Sequence, residues 1–243
     1  MFDELLRPLK DSVLSPLTAA VGRRMHPNTI TLIAFLFGAA SAVMAAMGWY
    51  MVGLIFWIGN RIFDGLDGAV ARAFDSQSDL GGYLDILLDF TVYAAVPAAF
   101  ALSLDVRSAY LALILLLSVF YINGASWMYL SALLEKRKYG GGAADGELSP
   151  RGATAGLNAP VARSGRSELN EPDSRRQTSI RMPGGLIGGT ETIIFYTLFF
   201  LLPGRIVLLF AAMALLTAVT IVQRLTWAVH HLGKESENDG RIP

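Results

Sequence analysis

The sequence predicts an all-α integral membrane protein with six transmembrane helices and an N-terminal interfacial amphipathic helix. Hydrophobic residues make up 53% of the 243-residue chain and only 16% are charged, a balance typical of membrane proteins. Six apolar segments also approach or exceed the roughly 20 residues that a helix needs to cross a bilayer. These segments lie at about 28–49, 51–73, 83–104, 107–134, 184–203 and 205–231.

Residues 1–26 precede the first apolar segment and contain the predicted interfacial helix. Apolar side chains recur at helical spacing from Phe2 to Leu17, and charged residues such as Asp3 and Lys10 lie on the other side. A segment of this kind can lie in the headgroup plane of a membrane. A helix that packs in the cytosol is the alternative.

The rest of the chain divides by composition. Residues 27–134 hold the first four spans, 135–183 form a flexible cytoplasmic loop, 184–233 hold the last two spans and 234–243 form a cytoplasmic tail. The loop has three consecutive glycines at 140–142, both signs of charge and almost no periodic apolar residue, so it cannot bury enough surface to fold alone. We interpret it as a tether, with binding of anionic headgroups by its basic residues as the alternative.

The basic residues predict the orientation of the spans. Lysine and arginine occur before the first span and after the second, fourth and sixth, whereas the opposite loops are short and nearly free of them. By the positive-inside rule, both termini face the cytoplasm. In a bacterium, the membrane would be the inner membrane. A formal net charge of zero gives no indication of a nucleic-acid partner, and a chain without cysteine does not reveal its redox compartment.

Four aspartates occur in one short stretch of otherwise apolar helix. The stretch reads Asp64-x2-Asp67-Gly68-x2-Ala71-Arg72-x8-Gly81-x3-Asp85-x3-Asp89. An acid at membrane depth costs roughly 2.5–3.5 kcal/mol on insertion scales, so four of them predict a compensating cation. Helical periodicity places each pair of aspartates on one face of its helix. Carboxylates without histidine or cysteine favour Mg²⁺ or Mn²⁺ over zinc. The alternative, solvated acids at a helix end, conflicts with the apolar neighbours of the second pair.

This stretch resembles the signature of the class I CDP-alcohol phosphotransferases, also called CDP-alcohol phosphatidyltransferases, and matches all eight of its fixed positions. The resemblance implies an enzyme of phospholipid biosynthesis that transfers a phosphatidyl group from CDP-diacylglycerol or another CDP-alcohol to a hydroxyl acceptor, releasing CMP. It also implies one or two divalent ions, Mg²⁺ or Mn²⁺, and a general base at Asp89. The residues expected to hold the ions are Asp64, Asp67, Asp85 and Asp89.

The cytidine diphosphate is expected to lie against small and polar residues near the signature. They are Gly68, Ala71, Arg72, Asn28, Thr31 and Gly81. Small residues leave a flat helix surface for a ligand, although close helix packing explains them equally well. Arg72 can donate two parallel hydrogen bonds to phosphate. Asn28 and Thr31 belong to a Pro-Asn-x-x-Thr sequence that opens the first membrane helix in the resembling family, and helix capping is the other explanation for them.

The acceptor alcohol is the least determined substrate. Candidates for its pocket are Asn123, Glu191 and Arg181, each explained equally well by a hydrogen bond between helices or a packing contact. Inositol phosphate, glycerol phosphate or another small alcohol are the possible acceptors, and the N-terminal segment favours the inositol-phosphate-using branch of the family. Membrane lipids and a second copy of the chain, in a homodimer, are the other expected partners.

Two other functions compete with this interpretation. The spacing Asn60-x3-Asp64-x2-Asp67 also resembles the first acidic motif of membrane prenyltransferases, which bind an isoprenyl diphosphate through Mg²⁺, but the last two spans contain no aspartate for a second motif. A cation transporter also uses aspartates within the membrane. That function does not explain Gly68, Ala71 or Arg72, and the spans show no inverted repeat.

Overall fold

α-Helices form the regular secondary structure of the computed structural model, which describes residues 16–140 and 185–239. A helical stretch at 16–22 comes first. The helices that follow are α1 (Pro27–Ala46), α2 (Tyr50–Ala73), α3 (Asp79–Leu104), α4 (Arg107–Gly140), α5 (Gly189–Leu201) and α6 (Ile206–Asp239), with a 3₁₀ turn at Pro203–Arg205 before α6. Most of the predicted interfacial helix and most of the predicted loop, including Arg181, lie outside the described residues.

The chain divides into two compact units. One comprises Met1–Ser126 with Pro183–Pro243, and the other comprises Trp127–Met182. The division falls within α4. The contacts among α1, α2, α3 and α5 all lie within the first unit.

Within the described residues, four stretches are long and apolar enough to span a membrane. They are Pro27–Ala46, Asp79–Leu104, Arg107–Lys136 and Pro203–Leu232. The 24-residue α2 is not among them, because its second half carries the charged part of the signature. These findings make the protein an all-helical membrane protein, while the count of six spans stays a prediction.

Helix α5 is shorter than the sequence predicts. It begins at Gly189 and has 13 residues, whereas we expected a span over 184–203. Gly188 is its N-cap, and the backbone N–H of Gly188 donates to the Glu191 carboxylate at 3.0 Å. Glycine is a poor helix former, so the glycine-rich residues before this cap do not extend the helix. At 1.5 Å per residue the helix is about 20 Å long, less than the roughly 30 Å hydrocarbon core of a bilayer.

The start of α1 differs in detail from the capping interpretation. His26 is the N-cap, its Nδ1 accepts a hydrogen bond from the Asn28 backbone N–H at 3.3 Å, and Pro27 occupies the first turn. The interpretation of Asn28 as the capping residue is therefore wrong. Its side chain is left to line a cavity beside the aspartates.

An aromatic core joins α2, α3 and α5. The rings of Trp57 and Tyr196 stack with their centroids 5.0 Å apart, and Tyr93 meets Tyr196 edge-on at 5.4 Å. The indole N–H of Trp57 donates to the Thr197 hydroxyl at 3.2 Å, which satisfies the polar atom of a fully buried ring. α1 packs against both α2 and α3. Together these contacts fix the two helices that carry the aspartates.

Candidate active site

Three of the four signature aspartates converge on one point. Carboxylate oxygens of Asp64, Asp85 and Asp89 lie within 4.8 Å of one another, and all three residues are half-buried. The same three residues line a small cavity of about 10 Å³, a volume that holds about one water-sized particle. Oxygen-only ligands at this spacing fit a hard divalent cation such as Mg²⁺ or Mn²⁺. The structure therefore provides the donors that the predicted metal requires.

Asp67 does not join this group. It is buried, its Oδ2 accepts a hydrogen bond from the Thr31 hydroxyl at 2.7 Å, and its Oδ1 lies 2.5 Å from the Gly68 backbone nitrogen. It lines a larger cavity in which Asp85 also participates. The fourth aspartate thus lies in the wall beside the three-oxygen group, and Thr31 fixes its orientation.

The larger cavity has a volume of about 200 Å³ and lies between α1, α2 and the beginning of α3. All six residues expected to contact cytidine diphosphate line it. They are Asn28, Thr31, Gly68, Ala71, Arg72 and Gly81. Three residues of the connection between α2 and α3 also line it, and the sequence analysis did not single them out. These are Ser76, Gln77 and Ser78. Their polar character and their place within the signature's eight variable positions were the available signal.

The glycines of the signature keep this cavity open. A Cβ atom on Gly81 would lie 3.0 Å from both the Asn28 Oδ1 and the Ser78 Oγ atoms, tighter than ordinary contact. On Gly68 it would meet only Nη1 of Arg72, at 3.2 Å, a side chain of the same helix. Close packing of a second helix therefore does not explain Gly68. The other explanation, a surface left flat for a ligand, stays a prediction.

Arg61 contacts Asp64 and Asp89 of the acidic group, which consists of Asp64, Asp85 and Asp89. The sequence analysis did not single out Arg61. Its Nη2 lies 2.8 Å from Oδ1 of Asp89, and its Nη1 lies 3.4 Å from Oδ2 of Asp64. The Arg61 side chain is only 8% exposed. Its position three residues before Asp64 in an apolar helix was the available signal, because side chains three apart meet on a helix surface and a buried arginine requires a partner.

The two described candidates for the acceptor pocket, Asn123 and Glu191, lie elsewhere. The Asn123 carbonyl and its side-chain oxygen both accept from Nη1 of Arg224 at 3.0 Å. Glu191 caps α5. Neither Asn123 nor Glu191 lines either cavity described above. Their assignment to the acceptor stays a prediction.

Comparison with known proteins agrees with this geometry. The sequence pattern of the CDP-alcohol phosphatidyltransferase family matches residues 24–157, which include the four aspartates and both cavities. The chain belongs to this family. It is therefore a membrane phosphotransferase of phospholipid biosynthesis, from a family that acts on CDP-alcohols and generally depends on a divalent metal.

The chain is similar to several known proteins. The chain is 33% identical over 177 residues to the inner membrane protein YnjF of Escherichia coli K12, a match that covers 73% of this chain and 70% of YnjF. It is 37% identical over 83 residues to a bifunctional IPC transferase and DIPP synthase of Archaeoglobus fulgidus, covering 34% of this chain and 17% of that protein. It is 36% identical over 90 residues to a phosphatidylinositol phosphate synthase of Mycobacteroides abscessus, covering 35% of this chain and 39% of that protein.

Proposed function

We propose that the protein transfers a phosphatidyl group from CDP-diacylglycerol to the hydroxyl group of a small alcohol and releases CMP. The main support for the proposal is that the three-carboxylate group adjoins the larger cavity. Three convergent carboxylates lie beside a cavity lined by all six residues expected to bind cytidine diphosphate. Asp85 lines both the small acidic cavity and this larger one. A diphosphate in the larger cavity would therefore reach the carboxylate group.

Asp64, Asp85 and Asp89 would hold one divalent ion, Mg²⁺ or Mn²⁺, and Asp67 is placed to help hold a second one beside the larger cavity. Such an ion, when bound, neutralises charge on the diphosphate and on the departing phosphate. Thr31 contributes through Asp67, since its hydroxyl donates to that carboxylate. We assign Thr31 to orienting Asp67 as much as to touching the nucleotide.

The remaining residues bind the donor. Arg72 borders the larger cavity and can donate two hydrogen bonds to a phosphate. The side chain of Asn28 does not cap α1, and it lines the same cavity. The cavity is smaller than the roughly 300–1,000 Å³ of a typical ligand pocket. It would accommodate the polar head of the donor, while the acyl chains extend into lipid.

Asp89 would accept the proton of the acceptor alcohol as the alcohol oxygen attacks the β-phosphorus. A phosphorus–oxygen bond forms to the acceptor, and the bond between the β-phosphorus and the oxygen of CMP breaks. CMP leaves with the electron pair of that bond. A base is required because a neutral alcohol is a poor nucleophile. Asp89 is the signature aspartate one helical turn beyond Asp85, and it lies in the convergent group.

We propose a phosphorylated polyol as the acceptor, inositol phosphate before glycerol phosphate. The naming of one relative as a phosphatidylinositol phosphate synthase supports this choice. The pair of Arg224 with Asn123 supports it too, because Arg224 is 8% exposed and no carboxylate within the described residues forms a salt bridge with it. Glu191 and Arg181 stay candidates from the sequence alone.

The arrangement in the membrane is part of the proposal. The predicted loop began too early, because α4 continues to Gly140. We propose six spans, an interfacial helix within residues 1–26, a tether within residues 141–183, and both termini and the aspartates on the cytoplasmic side. The distribution of lysine and arginine supports this orientation. A cytidine nucleotide is available on that side. A homodimer is the proposed assembly.

Release of CMP by the purified protein in lipid nanodiscs tests the function. We expect CMP from CDP-diacylglycerol only when Mg²⁺ or Mn²⁺ and a hydroxyl acceptor are both present, with inositol phosphate preferred over glycerol phosphate, serine and inositol. Full turnover in excess chelator would remove the metal from the reaction. Transfer of an isoprenyl group with no CMP release would favour the prenyltransferase alternative.

A further inference from the structure

Arg61 is a buried cation at the centre of a hydrogen-bond network, and the proposed reaction does not yet use it. Its three nitrogens each have an acceptor. Nη2 donates to Oδ1 of Asp89 at 2.8 Å, Nη1 donates to the Tyr93 hydroxyl at 2.7 Å, and Nε donates to the Asn60 side-chain oxygen at 2.8 Å. Asp64 lies further away, at 3.4 Å. The guanidinium group thus bonds tightly to one aspartate and loosely to another.

Three helices hold the guanidinium group in place. Asn60 is itself anchored, since its amide nitrogen donates to the Ala34 carbonyl of α1 at 2.8 Å. The guanidinium carbon lies 4.8 Å from the ring centroid of Trp57 and 5.1 Å from that of Tyr93. A guanidinium group that is already held by hydrogen bonds and by aromatic rings loses little further conformational freedom when it binds a carboxylate. Arg61 therefore imposes its orientation on its partner.

We propose that Arg61 is a positioning residue for Asp89 and the resident counter-charge of the acidic group. Arg61 occupies one oxygen of Asp89 and so directs the other oxygen towards the acidic cavity. The proposal rests on the proposed function, in which Asp89 receives the proton of the acceptor alcohol. An exposed surface pair contributes little and has no fixed geometry. Here the Arg61 side chain is buried, and it joins two half-buried carboxylates, from two helices, that line one cavity.

Removal of the positive charge should have two effects of opposite direction. Without the guanidinium group, the Asp89 carboxylate loses its fixed orientation, so turnover should fall. The same change removes a cation that competes for the oxygens of Asp64 and Asp89, so a divalent ion should bind more tightly. A residue that only supports the fold would weaken both properties together.

The experiment uses the full-length protein in nanodiscs with the substitutions Arg61→Gln and Arg61→Lys. Arg107→Gln is the control, because Arg107 is an exposed arginine at the start of α4, away from both cavities. Binding of Mn²⁺ alone is measured by electron paramagnetic resonance, and CMP release is measured at saturating Mn²⁺ and CDP-diacylglycerol. For Arg61→Gln we expect kcat to fall roughly 10–100-fold and the Mn²⁺ Kd to fall about fivefold or more.

Arg61→Lys keeps the charge but loses the planar fork, so its Mn²⁺ Kd should stay near the wild-type value while its kcat lies between those of the wild type and Arg61→Gln. A wild-type kcat in Arg61→Gln would overturn the proposal. Equal losses of turnover and Mn²⁺ binding in both variants would also overturn it, because they would indicate that Arg61 only supports the fold. If the wild-type protein itself releases no CMP, the proposed function fails. In that case unchanged Mn²⁺ binding in Arg61→Gln would separately overturn the counter-charge.

Discussion

The two halves of α2 share one helix but differ in what their buried side chains contact. In residues 50–60, the fully buried Trp57 stacks on Tyr196 of α5 within an aromatic core. In residues 61–73, the buried Leu66 packs with Ile30 of α1, whereas Arg61 and Asp64 lie beside Asp89 of α3. The first half fixes the position of the helix. The second half can therefore keep a charged group that would be costly without such support.

This division predicts that substitutions in the two halves change different measured quantities. Changes at the acidic end should alter the rate or the binding of the donor with little change in folding. Changes at the aromatic end should lower stability first. Single substitutions in each half test that separation.

Asp89→Asn should cause a large loss of rate while the donor still binds. The amide keeps an oxygen that can accept from Arg61, but it cannot take the proton of the alcohol, so kcat should fall roughly 10²–10⁴-fold, a typical general-base effect. Binding of CDP-diacylglycerol should stay measurable. CMP release and equilibrium binding of a labelled donor separate the two quantities.

Asp79→Asn is the matched control for this substitution. Asp79 lies in the first turn of α3, outside the signature and outside both cavities. It should keep near wild-type turnover. Normal turnover of Asp89→Asn would show that Asp89 is not the base, and Asp85 would then be the nearest candidate.

Asp64→Ala and Asp67→Ala sharpen the comparison within the acidic half. Asp64 belongs to the three-oxygen group, whereas Asp67 bonds to Thr31 and lines the larger cavity. Both substitutions should abolish metal-dependent donor binding and turnover. Binding of Mn²⁺ alone should distinguish them, because only Asp64→Ala removes a member of the convergent group. Equal Mn²⁺ affinity in the two variants would contradict that distinction.

Trp57→Ala tests the aromatic half. The substitution removes a fully buried ring that stacks on Tyr196 and donates to Thr197. Comparable truncations in protein cores cost about 3–5 kcal/mol. We expect a lower midpoint of thermal unfolding in detergent, with residual turnover at low temperature. Trp49→Ala is the control, since Trp49 is 60% exposed. A loss of turnover without a loss of stability would contradict the separation of the two halves.

Most of the site around the aspartates could be predicted from the sequence, because the signature residues follow a fixed spacing along α2 and α3. Six residues were expected to contact the donor, and all six line one cavity. Arg61 could not be assigned in the same way. Its role depends on Asp89 and Tyr93 of another helix, and sequence spacing carries no information about contacts between helices. The separation of Asp67 from the other aspartates has the same cause, since its partner Thr31 lies on α1.

The helix boundaries show a second limit. An apolar stretch predicts where a span can lie, but the start of α5 depends on which residue becomes the cap. Gly188 and Glu191 form that cap through a hydrogen bond of 3.0 Å. Hydrophobicity alone therefore overestimated α5 by several residues. The start of α1 at Pro27 likewise depends on a local cap, His26.

Gly81→Ala should have a smaller effect than the substitutions above. The added methyl group would lie 3.0 Å from the Asn28 side-chain oxygen and displace that amide from the cavity wall. We expect KM for CDP-diacylglycerol to rise severalfold while kcat changes little, because the donor loses binding that is shared by the ground and transition states. Gly204→Ala is the control, since a Cβ atom there meets nothing within 4 Å. An unchanged KM would place the nucleotide away from Gly81.

Shortening the tether should have the smallest effect of all. The predicted loop at 135–183 joins the two halves of the sequence that hold the spans, and we interpret it as a connection without chemistry. The entropy of closing a loop changes slowly with its length, by about 0.6 kcal/mol for each doubling. Deletion of about half of residues 140–178 should therefore leave turnover within severalfold of the wild-type rate. The measurement is CMP release with inositol phosphate and with glycerol phosphate, alongside thermal unfolding. If turnover is lost while the unfolding midpoint is kept, the loop contributes contacts to a substrate. A loss restricted to phosphorylated acceptors would indicate that its basic residues, such as Arg181, bind the acceptor phosphate.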